Sequence, residues 1–291
     1  MILSDFLIFI SLILVVLGFS LYLYFSLFSK LFFQKKQKTT PERASTFGEF
    51  INGLTGPIFA LAGFLIIYAT IMDQNDTNNI QHFESEFFKL LDYNRANNLD
   101  ISIKSPKTCN EISGGAVWVS FYSQIKKAYQ IIDNDSLFDN IPKNIKKDLA
   151  FATFFYGISK VDTVRFYSHI DKLDLTAATK SNYVSNLKLV EHCENWNSYF
   201  VGYTNNFETF LKQYFSFINY IDKEKTLTSE QKKEYINMLN LQNDNFCQLV
   251  IYYYLESSIC GAEELKMKSK YNLLPRIDKS LLFHLNANTY E

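Results

Sequence analysis

The sequence predicts an all-α protein: an N-terminal two-helix transmembrane hairpin followed by an all-helical soluble domain. Three observations lead there. Residues 6–28 and 50–72 are apolar and carry no charge. Beyond them, apolar residues recur at intervals of three and four, the period of a helix face. The remainder shows no sustained two-residue alternation of the kind a half-buried strand needs.

The boundaries read as a first span within residues 1–33, a basic loop over 34–49, a second span over 50–72, a polar linker over 73–82 and a helical domain over 83–291. At 1.5 Å per residue either apolar run is long enough for the ~30 Å hydrocarbon core of a bilayer. A cleaved signal peptide fits the first run poorly. No Lys or Arg precedes it, it exceeds a usual h-region, and Phe-Ser-Lys-Leu-Phe-Phe closes it where a small-x-small site is needed. Residues 29–49, around the loop, carry Lys30, Lys35, Lys36, Lys38 and Arg43, whereas the N-terminal flank has no basic residue. The positive-inside bias therefore favours a cytoplasmic loop with both chain ends outside.

The second run opens on Phe47-Gly48-Glu49-Phe50-Ile51-Asn52-Gly53-Leu54-Thr55-Gly56-Pro57. Pro57 suits a helix's first turn, or else kinks a helix that has already begun. Gly53, Gly56, Ala60 and Gly63 lie three to four residues apart and share a face. Small residues so spaced let membrane helices approach closely, against the first span or against a second copy of the chain.

The whole chain is 20% charged with net charge -1, and its 27 Phe and 19 Tyr among 291 residues lead to an aromatic-heavy core in the soluble part. Near-neutral charge gives no support to nucleic-acid binding. Helical stripes run through Phe83, Phe87, Leu90 and Leu91; Val117, Phe121, Ile125, Ala128 and Ile132; Leu149 to Ile158; Tyr183, Leu187, Val190 and on to Trp196; and Phe207 to Ile221. Thr228 and Gln231 have capping-box spacing, which starts a helix running to about Ser257 with a break near residues 242–245. Its second half, 246–255, is apolar nearly all round and reads as a buried central helix. Its core is expected to include Phe217, Ile221, Leu249, Tyr253 and Leu255. Gly261 reads as a C-terminal stop. Residues 99–104 alternate briefly, as a loop or a short edge strand.

Residues with chemistry are scattered. His82, His169, His192 and His284 fit no metal-ligand spacing. His192-Cys193-Glu194 are neighbours in sequence, so their side chains diverge on a helix. Asp133 to Ser136 begin like a calcium loop, but Leu137 and Phe138 occupy positions that need a ligand and a glycine. Gly114-Gly115 read as a loop entering a helix rather than a phosphate cradle. Cys109, Cys193, Cys247 and Cys260 show no C-x-x-C spacing and read as buried thiols, with Cys247 and Cys260 as core residues rather than a disulfide. A binding or effector module is expected, with no enzyme activity, no cofactor and no metal.

Three segments in order resemble the phage abortive infection protein family of bacterial two-span membrane proteins. Gly48 through Gly53, with Gly56-Pro57-Ile58 and Thr70-Ile71, is similar to the family's G-x-F-x-G-G-x-x-x-P approach to its second span. Phe83-Glu84-Ser85-Glu86-Phe87-Phe88-Lys89-Leu90-Leu91 is similar to its F-E-S-x-F-F-x-L-L. The third runs from Lys212-Gln213-Tyr214-Phe215 through Asp222 and Tyr252-Tyr253-Tyr254 to Lys270-Tyr271-Asn272-Leu273-Leu274. The chain departs from the family's G-H-Y-F-R, having Gln213 and Ser216 where the pattern has His and Arg. It also has Asn240-Leu241-Gln242-Asn243-Asp244 in place of R-A-Q-L-S.

The resemblance implies an anti-phage effector of the bacterial inner membrane that acts by abortive infection, compromising the membrane once released from inhibition. It also implies partners: membrane lipid, other copies of the chain, and, as for related effectors, a retron reverse transcriptase with its DNA product. Such a trigger places the soluble domain in the cytoplasm, against the loop charges. A membrane-tethered, non-toxic receptor or scaffold binding a protein partner is the competing expectation.

Overall fold

The computed structural model describes residues 2–27, 40–159, 163–274 and 277–284. Lys30, Lys35, Lys36 and Lys38 of the basic loop, and the end of the first predicted span, lie outside the described residues. The described residues form ten α-helices and one two-stranded ribbon, so the all-α class holds. In order these are α1 (Ile2–Leu27), α2 (Pro41–Asp100), β1 (Ser102–Lys104), β2 (Glu111–Ser113), α3 (Gly115–Asp133), α4 (Lys143–Tyr156), α5 (Thr163–Lys172), α6 (Ala177–Lys188), α7 (Thr204–Lys223), α8 (Ser229–Leu241), α9 (Asn245–Leu255) and α10 (Ala262–Tyr271). The chain divides into two compact units, Met1–Ser85 and Glu86–Glu291, and the division falls within α2.

In the first unit, α1 and the front of α2 are both long and apolar enough to cross a membrane. Helix α2 begins earlier and ends later than the sequence suggests. Thr40 precedes it, Pro41 fills its first position, where a missing N–H costs nothing, and Glu42 faces the helix's positive end. Pro57 lies inside the helix, not at its start. The predicted linker over 73–82 is helical too. Its composition is polar, but it contains neither Gly nor Pro and has helix on both sides. Extending an existing helix avoids the cost of a new nucleus, and the Thr77 hydroxyl donates back to the Asp73 carbonyl at 2.9 Å.

In the second unit, α3 packs chiefly against α4 and α9. Phe207 of α7 is fully buried. Its ring meets those of Trp118, Phe121, Phe151, Phe154, Phe210 and Tyr254, with centroids 5.8–6.4 Å apart. Five of these pairs are edge-on and the one with Phe210 is stacked, and such ring pairs add about 0.5–1.5 kcal/mol each beyond area burial. Helix α9 is the expected central helix, with Cys247 to Ile251 and Tyr253 to Leu255 buried. Phe217, Ile221, Leu249, Tyr253 and Leu255 all lie in this core. Two glycines let backbone segments cross: Gly157 (φ 69°) and Gly202 (φ 82°) abut so closely that a Cβ on either would strike main chain of the other segment. The Tyr203 amide donates to the Phe155 carbonyl there at 3.0 Å.

Several local expectations are met. Both capping-box bonds at Thr228 and Gln231 are present. The break after α8 is made by Asp244, whose carboxylate accepts from the Cys247 amide at 2.7 Å to start α9. Residues 102–104 do form a short strand, paired antiparallel with β2, which the sequence did not reveal. Gly261 differs from expectation: it is the residue before α10, while α9 ends at Leu255 with Glu256 after it. Trp196 lies beyond α6, so it does not continue that helix's stripe.

Candidate functional site

The hairpin interior is built from small residues, but not from the ones the glycine spacing selects. On α1 the buried positions are Ser4, Ser11 and Gly18; on α2 they are Ile51, Thr55, Ala62 and Ala69. Ser4, Ser11 and Gly18 are seven apart, as are Thr55, Ala62 and Ala69, which is the repeat of an antiparallel helix seam. The Ser11 hydroxyl donates to the Ala62 carbonyl at 3.0 Å. A Cβ at Gly18 would come within 3.1 Å of the Phe59 ring. At the loop end, Phe25 meets Phe50 edge-on at 5.5 Å.

Gly53, Gly56, Ala60 and Gly63 lie off this seam. Gly53 and Ala60 are exposed, Gly56 and Gly63 half-buried, and no neighbouring atom of α1 approaches the Cβ position of Gly53, Gly56 or Gly63. Of the two roles this face was expected to fill, packing on the first span belongs to the seam instead. The signal that would have found it is the seven-residue recurrence of Ser and Ala, not of Gly alone.

The residues of the resembled motifs separate into two groups. Gly48 and Pro57 are exposed on α2, and Phe83 and Glu84 lie farther along it, Phe83 buried. The rest gather around α7. Phe87 is fully buried between Phe217 at 5.2 Å and Tyr235 at 4.8 Å, while Phe88, half-exposed, sits edge-on to it. Tyr214 is fully buried, and its hydroxyl donates to Asn240 Oδ1 at 2.6 Å. Burial pushes its pKa well above the ordinary tyrosine value. Lys270 and Tyr271 both donate to the Asp222 carboxylate at the end of α7. Burial raises the Asp222 pKa, but these two bonds outweigh it and hold the carboxyl below its usual range.

One cluster, with Asp148 and His169 buried and Ser258 exposed, has the composition of a hydrolase triad without its wiring. Asp148 Oδ2 lies 3.1 Å from His169 Nε2 and accepts from the Ser258 hydroxyl at 2.9 Å, while its Oδ1 accepts from the Ser258 amide at 2.7 Å. Nucleophilic catalysis requires the serine to hand its proton to the histidine. Here Ser258 is bonded to the carboxylate instead. Burial pushes Asp148 up, yet the bonds from His169 and Ser258 prevail and hold it low. The cluster ties α4, α5 and the turn after α9 together.

The cysteine reading requires a correction. Cys109 and Cys193 form a disulfide, with Cα atoms 5.9 Å apart across a sequence separation of 84. The Cys193 amide also donates to the Pro106 carbonyl at 2.9 Å. Spacing in the chain carries no trace of this pair, because only the fold brings its two loops together. Cys247 and Cys260 are free thiols, as expected, but only Cys247 is buried in the core while Cys260 is half-buried, and burial pushes Cys247 well up. Asp133 to Ser136 form a helix-ending turn: the Asp135 carboxylate accepts from the Leu137 amide and from Asn182. Among the described residues no group of His, Cys, Asp and Glu is arranged to hold a metal ion. No family model, curated protein or solved structure matches this chain.

Proposed function

We propose that this chain is a two-span membrane effector of the abortive-infection type, with a helical domain that binds and regulates rather than catalyses. The observation that carries the reading is the unused face of the second span. Gly53, Gly56, Ala60 and Gly63 remain open after the hairpin has packed, and small residues at that spacing favour association with another helix. Copies of the chain joined through this face would bring several hairpins together in the bacterial inner membrane and disturb it. The resemblance of the motif segments supports the same reading, and the Ser258–Asp148–His169 wiring favours a structural over a catalytic role.

Unrestrained expression in bacteria tests it. Wild-type chain should depolarise the membrane and arrest growth, and a Gly56→Leu/Ala60→Leu double variant should insert normally but arrest poorly. Wild-type cells that keep their potential would overturn the effector reading.

Two observations bear on sidedness and agree. The basic residues of the 29–49 loop favour a cytoplasmic loop, and a disulfide such as Cys109–Cys193 persists in oxidising compartments. Both support an extracytoplasmic domain, opposite to the cytoplasmic expectation. A trigger met at the cell envelope then suits the effector better than a reverse transcriptase and its DNA. Alkaline phosphatase fused after residue 284 should be active, whereas fluorescence from a green fluorescent protein there would reverse the assignment. The disulfide also favours a second reading, a tethered receptor whose spans only anchor it. That protein would reach the membrane without arresting growth.

A further inference from the structure

We propose that a cleft between the C-terminal part of α2 and the middle of α7 binds a small neutral molecule with a carbonyl group on an apolar body. The proposal rests on the reading of the domain as a binding module and names the chemistry it would recognise. The cleft has a volume of about 210 Å³, below the roughly 300–1,000 Å³ of sites for drug-sized ligands and well above the ~30 Å³ share of one water. A fragment-sized molecule fits.

Leu90, Tyr93 and Phe217 give the cleft apolar walls, and Asn94, Gln213 and Ser216 give it a polar lip. Asn94 is only 5% exposed, and its amide nitrogen is buried with no acceptor among the described residues. A buried donor left without an acceptor is rare in folded proteins and requires a reason. Asn97 Nδ2 donates to Gln213 Oε1 at 3.4 Å, which occupies the acceptor side of Gln213 and leaves its NH₂ group turned to donation.

The amides behind the lip have the same bias. Tyr214 donates to Asn240 Oδ1 at 2.6 Å and Asn98 donates to Asn243 Oδ1 at 3.1 Å. Those bonds fix both amides with the oxygen committed, and both nitrogens are buried without acceptors. At the cleft itself Asn94 brings a buried donor with no acceptor among the described residues, and the Gln213 NH₂ group adds a second donor at the lip, which calls for a ligand oxygen.

Charge decides which oxygen. No carboxylate or basic side chain lines the cleft, so a carboxylate or phosphate would lose its hydration without gaining a counter-charge. A neutral amide or ketone loses far less.

Saturation-transfer NMR on the full chain in lipid nanodiscs tests this with three probes of one size: benzamide, benzoate and ethylbenzene. Benzamide should be saturated above an empty-nanodisc control and bind about tenfold better than the other two, the weight of one hydrogen-bonded group. Ser216→Phe, made from an exposed position, should plug the cleft and remove the benzamide signal while circular dichroism stays unchanged. Gln213→Glu, also exposed, should weaken benzamide by placing a charge on the lip. No signal above the control would leave the cleft to ordered water and overturn the proposal. Equal binding of ethylbenzene, or benzamide binding that survives the plug, would overturn it as well. None of these readouts depends on growth arrest, so the site and the effector role fail separately.

Discussion

In the hairpin, the residues turned inward are Ser4, Ser11, Gly18, Thr55, Ala62 and Ala69; in the domain they are Trp118, Phe121, Phe151, Phe154 and Phe207. Ile51 aside, the large apolar side chains of the hairpin mostly point the other way: Phe9, Leu12 and Phe64 are 61%, 62% and 63% exposed. The difference is the one expected if the hairpin sits in lipid, as proposed, and the domain in water. In water, removing a phenyl ring from solvent is itself the driving force. In a bilayer the lipid tails are as apolar as the ring, so helices gain only from close approach and from hydrogen bonds such as Ser11 to Ala62, worth about 0.6 kcal/mol on average. One chain thus obeys two opposite rules for what belongs inside, and each can be broken separately.

The largest effect is expected from Phe207→Ala. Truncating a buried phenyl ring costs about 3–5 kcal/mol, much of a domain's usual ~5–15 kcal/mol. Denaturant unfolding of the detergent-solubilised chain should show the domain transition collapse while α1 and the front of α2 stay helical. Next is Cys193→Ser. In the chain-entropy account, opening a loop of this length costs roughly 4.5 kcal/mol, and the loss should again fall on the domain alone. A wild-type unfolding midpoint that does not move on reduction would show that the staple adds nothing there.

The reverse experiment is Ala62→Leu, which enlarges a side chain in a seam that has no room for one. Overpacking costs about 1–3 kcal/mol, and cross-linking between cysteines placed at Phe25 and Phe50 should fall in yield. A domain that melts together with this variant would erase the distinction between the regions.

Acid should act on the domain only, in two steps. Burial foremost, with Lys147 nearby, holds His284 below its ordinary pKa. The unfolded chain then binds the extra proton, so this stability is present above about pH 6.5 and is lost as pH falls toward the folded value. The carboxylates Asp148, Asp222 and Glu256 are also held low despite burial, by hydrogen bonds from His169 and Ser258, from Lys270 and Tyr271, and from Lys268 and Lys147 respectively. Their contribution is complete above an unfolded pKa near 4 and is lost as pH falls through the folded values. The unfolding midpoint should decline gently from neutral pH and steeply in acid, and His284→Asn should remove the gentle phase.

The smallest structural effect belongs to Gly56→Leu/Ala60→Leu. Both positions lie off the seam, so hairpin cross-linking should match wild type within error. If it drops, this face serves the hairpin after all.

What the sequence made legible was periodic. The α7 stripe, the apolar α9 and the Thr228–Gln231 capping box all write their geometry into local spacing. The hairpin seam was written as plainly, in a seven-residue recurrence, but in Ser, Thr and Ala, which lack the conspicuousness of glycine. Residues 73–82 misled through composition, since a polar segment without breakers extends a helix as readily as it makes a linker. The disulfide, the β1–β2 pairing and the Asn94–Gln213–Ser216 lip could not be read at all. Each joins residues that only the finished fold makes neighbours.

The Cys109–Cys193 bond also divides the chain by how it carries tension. A pull along the polypeptide enters from the end of α2 at Asp100 and leaves through α7, and the sulfur bridge offers a covalent path past everything between. Helices α3, α4, α5 and α6 lie within the bypassed stretch. Stretched while oxidised, the domain extends only by the strands outside the bridge, and Trp118 and Phe121 stay shielded from the load. A protease that cuts within the bridged stretch likewise leaves one molecule, and its two pieces separate on a gel only after reduction.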